Sequence, residues 1–86
     1  MKFLIESYVR NIECQDIINF GRENEIVINN DEAMFLKELL NDHLSDVLEG
    51  NDYNVLQILK ERFDGTRFDK MKNLYLVYKE KYKNYL

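Results

Sequence analysis

The chain has 86 residues, 45% of them hydrophobic and 33% charged, with one Cys, one His, no Pro and no Trp. This is the composition of an ordinary globular domain, and it excludes a disordered tail. A single thiol beside a single imidazole excludes an internal disulfide and a structural zinc site, and no apolar run approaches the ~20 residues of a membrane span.

At 10.4 kDa, surface scaling gives a folded area of about 5,400 Å² against about 15,000 Å² unfolded, enough for one modest core. A single domain over residues 1–86 is therefore expected. The opening Met1-Lys2-Phe3-Leu4-Ile5 is interrupted by Glu6, so no secretory signal is read there. A lone thiol also suits a reducing compartment. The expected location is cytoplasmic. The net charge of −4 is uneven. Residues 1–66 carry six Lys/Arg against fourteen Asp/Glu, a net of −8, while residues 67–86 carry six against two, a net of +4. An acidic body bears a basic C-terminal segment.

Five helices are predicted. The first spans about 2–10, with Phe3, Leu4, Tyr8 and Val9 apolar and Asn11 as its stop. The second spans about 14–23, where Cys14, Ile17, Phe20 and Gly21 share one side and Ile18 lies at its edge. Asn24 is expected as a left-handed cap, because Asn tolerates positive φ. Ile26-Val27-Ile28 reads as an extended, buried connector, too short to make a sheet without partners.

The third helix is predicted to start at Asn29 or Asn30. Asn29 and Glu32 have the spacing of a capping box, and Asp31 and Glu32 suit the positive end of the helix dipole. Its apolar positions are Ala33, Leu36, Leu39, Leu40, Leu44, Val47 and Leu48, and a break is allowed near Asn41-Asp42. The fourth opens at Asn51 or Asp52, places Val55, Leu56, Leu59 and Phe63 on one side, and closes at Gly65. The fifth opens at Thr66, with Asp69 at capping-box spacing. It runs to the end of the chain with Phe68, Met71, Leu74, Tyr75, Tyr78, Tyr82 and Tyr85 in one arc of roughly 120°. The expected fold class is all-α, a compact orthogonal or bundle-like domain of four to five helices.

The last helix carries the sharpest functional signal. Its aromatic stripe is edged by Lys70 and Lys81 on one side and by Lys72, Lys79 and Lys83 on the other. Tyr is amphipathic and is enriched at interfaces, and lysine stems can lie along such a stripe with their ammonium groups in water. The same stripe could pack on the domain's own core instead. Tyr75, Tyr78, Lys79, Lys81, Tyr82, Lys83 and Tyr85 form the candidate interaction surface.

Nucleic acid is the rival partner for a Lys/Tyr segment, through phosphate neutralisation and base stacking. Against it stand a pI of about 4.9, the near absence of Arg from the segment and the burial expected of the tyrosines. A helix-turn-helix reading of residues 16–40 would place Asp31, Glu32 and Glu38 in a major groove, where phosphates repel them. An interfacial membrane helix is a weaker alternative, because the stripe is rich in Tyr rather than Leu or Trp.

His43 falls on the apolar side of the third helix and reads as a partly buried histidine with one polar partner. Cys14 reads as a small core hydrophobe. A Cys14–His43 nucleophile pair has neither a third orienting residue nor an oxyanion loop in the sequence. No calcium-loop or phosphate-loop motif occurs, and Gly21 marks a close approach of backbone. No catalytic residue, metal ligand or cofactor is expected.

Ile12, Asp16-Ile17-Ile18, Phe20-Gly21, Ile26, Ile28 and Asp31-Glu32-Ala33 form a pattern continued by Val47-Leu48, Gly50, Val55-Leu56 and Leu59-Lys60. Over residues 12–60 this pattern resembles a family of short, all-helical cytosolic proteins of unknown function from Bacillales and related Firmicutes. The resemblance implies a helical fold and a Gram-positive bacterium or its phage as source. It implies no activity and no site residues. The function expected from the sequence is a non-enzymatic protein-interaction module (a small regulator, adaptor or phage-type inhibitor). It would bind a protein partner or associate with itself through the C-terminal Tyr/Lys helix.

Overall fold

The computed structural model describes the backbone of residues 2–82. The fold is all-α. Its elements are α1 (Lys2–Arg10), α2 (Cys14–Glu23), α3 (Asn30–Asp42), α4 (Leu44–Leu48), α5 (Tyr53–Arg62) and α6 (Gly65–Tyr82), with no strand among the described residues. The helices gather into two compact units, one formed by Phe3–Leu44 and the other mainly by the chain from Ser45 onward.

In the first unit α2 packs on α3, and Ile17, Ile26, Ala33, Leu39 and Leu44 are buried. α1 ends at Asn11 as its sequence suggests. The Asn11 side-chain amide donates to the Ser7 carbonyl at 2.7 Å, so it replaces the next turn's hydrogen bond. The apolar side drawn for α1 and α2 is only partly inward, since Leu4, Tyr8 and Phe20 are exposed.

α2 opens on an interaction the sequence did not advertise. The Asp16 carboxylate accepts the Glu13 backbone N–H at 2.9 Å. Its other end is a Schellman motif: Ile26 N–H donates to the Gly21 carbonyl at 2.7 Å, and Glu25 N–H donates to the Arg22 carbonyl at 3.2 Å. The left-handed residue in this motif is Glu25, with φ of 62°. The expected left-handed Asn24 has φ of −111° and serves differently, its side-chain amide donating to the Phe20 carbonyl at 2.8 Å. The connector that follows is extended but alternates. Ile26 is buried, Val27 is exposed and Ile28 is half-buried, as side chains on opposite sides of an extended strand of chain must be.

Gly21 is where this connector folds back. A Cβ there would stand 2.7 Å from both the Ile26 carbonyl oxygen and Ile28 Cδ1. The close approach read from Gly21 is therefore real, and its counterpart is the connector of its own unit.

α3 begins with the predicted capping box. Asn29 Oδ1 accepts Glu32 N–H at 2.8 Å, and Glu32 Oε1 accepts Asn29 N–H at 3.0 Å. This exchange lets Glu32 be buried at the helix N-terminus, where the dipole favours its charge. The long third helix is two elements, divided at His43, which is half-buried and donates its backbone N–H to the Leu39 carbonyl at 3.1 Å.

In the second unit Leu48, Val55, Leu59 and Phe63 are buried, and α5 packs on α6. α4 closes with the same Schellman pattern as α2: Asn51 N–H donates to the Asp46 carbonyl at 2.8 Å and Gly50 N–H to the Val47 carbonyl at 3.1 Å. Here the left-handed residue is Gly50, with φ of 82°. Gly65 differs from expectation. It is the first residue of α6, with φ of 51°, and α5 ends earlier, at Arg62. A glycine reaches the left-handed region without a Cβ clash at a helix start as readily as at a helix end.

Two stability outcomes are expected from urea unfolding. Glu25→Gly removes the left-handed strain of a residue with a Cβ and raises stability by about 1 kcal/mol. Gly21→Ala forces a Cβ onto a backbone oxygen and lowers stability by about 1–3 kcal/mol.

Candidate functional site

α6 has no buried residue among those whose side chains are described, and Phe68, Met71, Leu74, Tyr75 and Lys79 are half-buried along one side. These positions recur every three or four residues, so they form one face of the helix. The face is held by a carboxylate from outside the helix. The Gly50-Asn51 turn delivers Asp52 to the N-cap of α5, yet Asp52 makes no side-chain capping bond there. Its Oδ2 instead accepts both the Tyr75 hydroxyl at 2.6 Å and the Lys79 ammonium at 2.7 Å.

Relative side-chain exposure is 14% for Asp52 and 39% for Lys79, so the pair is screened from water on the carboxylate side only. The hydrogen bond from Lys79, then that from Tyr75, hold the Asp52 carboxyl below its ordinary value, against the opposing effect of its burial. Burial first, and then the facing carboxylate, push the Tyr75 hydroxyl above its ordinary value. A neutral phenol donating to an ionised acid is the resulting state at neutral pH.

The start of α6 is anchored by cations and a ring. The Phe63 side chain is fully buried, and the guanidinium carbons of Arg62 and Arg67 each lie 5.2 Å from its ring centroid. That distance is within cation–π range.

The middle of α6 is unlike either end. Leu76, Val77 and Tyr78 are consecutive and exposed, by 41%, 61% and 37%. Lys81 lies over the Tyr78 ring, with its ammonium 5.8 Å from the centroid. The sequence-predicted surface is thus divided. Tyr75 and Lys79 are drawn together by Asp52 and face inward, whereas Tyr78 and Lys81 are exposed and stacked on each other. The side chain of Tyr82 lies outside the described residues, as do Lys83 and Tyr85.

Sequence reasoning assigned Asp52 only to the helix start and left Leu76 and Val77 out of the surface. The available signal was the unbroken apolar run Leu74-Tyr75-Leu76-Val77-Tyr78, which wraps around more of a helix than one inward face needs. Among the described residues no group of three or more His, Cys, Asp or Glu side chains is placed to hold a metal ion, and no helix is long and apolar enough to cross a membrane. Cys14 and His43 are both half-buried. Comparison with protein-family models, curated proteins and solved structures finds no match to this chain.

The Asp52 clamp has a pH signature. A carboxyl whose folded pKa lies below its unfolded value of 3.8 contributes stability that is complete above about pH 4 and lost as the pH falls through the folded value. A phenol raised above its unfolded value of 10.0 contributes stability present below about pH 10 and lost as the pH rises further. Tyr75→Phe is expected to cost about 1–2 kcal/mol at neutral pH. In urea unfolding followed across pH, its difference from the parent shrinks in acid, where Asp52 is protonated in both chains.

Proposed function

We propose that this chain is a non-enzymatic, cytoplasmic protein-interaction module, a small regulator or adaptor, whose contact surface is the outward side of α6. The observation that carries this reading is the exposure of Leu76 and Val77, by 41% and 61%, outside the half-buried face of this 18-residue helix. Exposed apolar side chains outside the face that a helix buries are the ones a partner can cover. The side bearing Tyr75 and Lys79 is tied down within the unit by Asp52.

Lys81 borders Val77 on this surface and lies over Tyr78, whose ring falls on the half-buried side between Leu74 and Met71. The surface combines two aliphatic groups with the Lys81 stem and the exposed Glu80, a small apolar contact bordered by charge. The same geometry favours a protein partner over nucleic acid, because Lys79 is already paired with a carboxylate and is not available to neutralise a phosphate.

The test uses the full chain immobilised and exposed to an extract of its own source cells, with Val77→Glu as the control bait. The parent is expected to retain a protein, which includes a second copy of this chain, and the variant to lose it by about tenfold or more, a hot-spot loss of at least ~1.4 kcal/mol. Circular dichroism checks that the variant keeps its helicity. Equal retention by both baits, or none by either, overturns the reading.

A further inference from the structure

Asp64-Gly65 is the one place in the chain where glycine follows an aspartate or an asparagine. The pairing matters chemically. The backbone nitrogen after an aspartate can attack that residue's own side-chain carboxyl carbon and close a five-membered ring. A Cβ on the following residue crowds the attacking nitrogen, and glycine has none.

The fold leaves this pair accessible. It lies in the joint between α5, which ends at Arg62, and α6, which begins at Gly65. Both residues are exposed. Gly65 has φ of 51°, and a Cβ placed on it would meet nothing within 4 Å. As the first residue of its helix, Gly65 has an amide with no partner inside α6, so attack by its nitrogen breaks no helical hydrogen bond. The Asp64 carbonyl accepts the Phe68 N–H at 3.4 Å, longer than an ordinary N–H···O bond, so it restrains the joint weakly. Asp16 and Asp52 differ on both counts. Their carboxylates accept hydrogen bonds, and Ile17 and Tyr53 follow them.

We infer that Asp64 is a site of spontaneous covalent modification, converting to isoaspartate through a succinimide closed by the Gly65 nitrogen. That nitrogen bonds to Cγ of the Asp64 carboxyl in its protonated form, and the carboxyl hydroxyl leaves with the amide proton as water. A second water then opens the ring. Attack at Cγ restores aspartate, whereas attack at the main-chain carbonyl carbon leaves the chain running through Cβ and Cγ. Water is the only co-reactant. The product lengthens the main chain by one carbon between Phe63, whose side chain is fully buried, and the start of α6. The inference is independent of the reading of α6 as a contact surface.

Prolonged incubation of the full chain in neutral buffer tests this, at a temperature where circular dichroism shows it folded. A second sample is incubated unfolded in guanidinium chloride at the same temperature. Isoaspartate is quantified by an isoaspartate-selective carboxyl methyltransferase and located by fragmentation mass spectrometry. It is expected at Asp64 ahead of every other aspartate, and at a similar rate in the two samples. Asp64→Asn reaches the same ring faster by loss of ammonia, registered as a mass gain when the ring opens to the acid. Asp64→Glu, whose ring would be larger, yields no such product. Gly65→Asn tolerates the left-handed region but crowds the attacking nitrogen, and it slows the conversion.

Folding that slows the reaction at Asp64 by about tenfold or more, a barrier higher by about 1.4 kcal/mol, overturns the inference, because the joint is then closed to the ring. So does isoaspartate that forms first at another aspartate, or a folded chain that forms none at Asp64.

Discussion

Asp52 leaves the amides of its own helix without a side-chain cap and spends its carboxylate on Tyr75 and Lys79. Those two residues are one helical turn apart, so binding both fixes the rotation of α6 about its axis as well as its position. The exposure pattern of the helix follows from that rotation. With Tyr75 and Lys79 turned inward, Phe68, Met71 and Leu74 come with them, and Leu76 and Val77 are carried to the outside. A carboxylate with a single donor would constrain the helix less, because one hydrogen bond tolerates rotation that two donors on adjacent turns do not.

The two Schellman motifs show how the chain turns corners without proline. Both have the same pair of backbone hydrogen bonds, and both need one left-handed residue. Gly50 takes that conformation without strain, whereas Glu25 takes it against the preference of an L residue. What holds Glu25 there is the connector beyond it. Ile26 is buried, and its carbonyl leaves no room for a side chain at Gly21. Strain at one residue is thus offset by packing at its neighbours within the same unit.

Charge separation along the chain has a structural counterpart. The acidic surface of residues 3–44 and the basic surface of the segment from residue 67 onward belong to different compact units. Such surfaces favour unlike over like contacts and respond to salt, since exposed charges are screened within about 10 Å at 0.1 M. The inward pair of Lys79 and Asp52 has its carboxylate largely covered and is screened less.

Helix content, the capping box at Asn29 and Glu32, the stop at Asn11 and the turn at Gly50 were all legible in the sequence, because each depends on residues at most five apart. Local hydrogen bonds and backbone preferences decide such features wherever the segment sits. The inward and outward sides of α6 were not legible. A run such as Leu74-Tyr75-Leu76-Val77-Tyr78 offers several nearly equivalent apolar faces, and periodicity cannot choose among them. Tertiary structure made the choice through a carboxylate 23 residues before Tyr75 and 27 before Lys79. Only folding brings so distant a partner within hydrogen-bonding range, and so only folding selects which side chains face water.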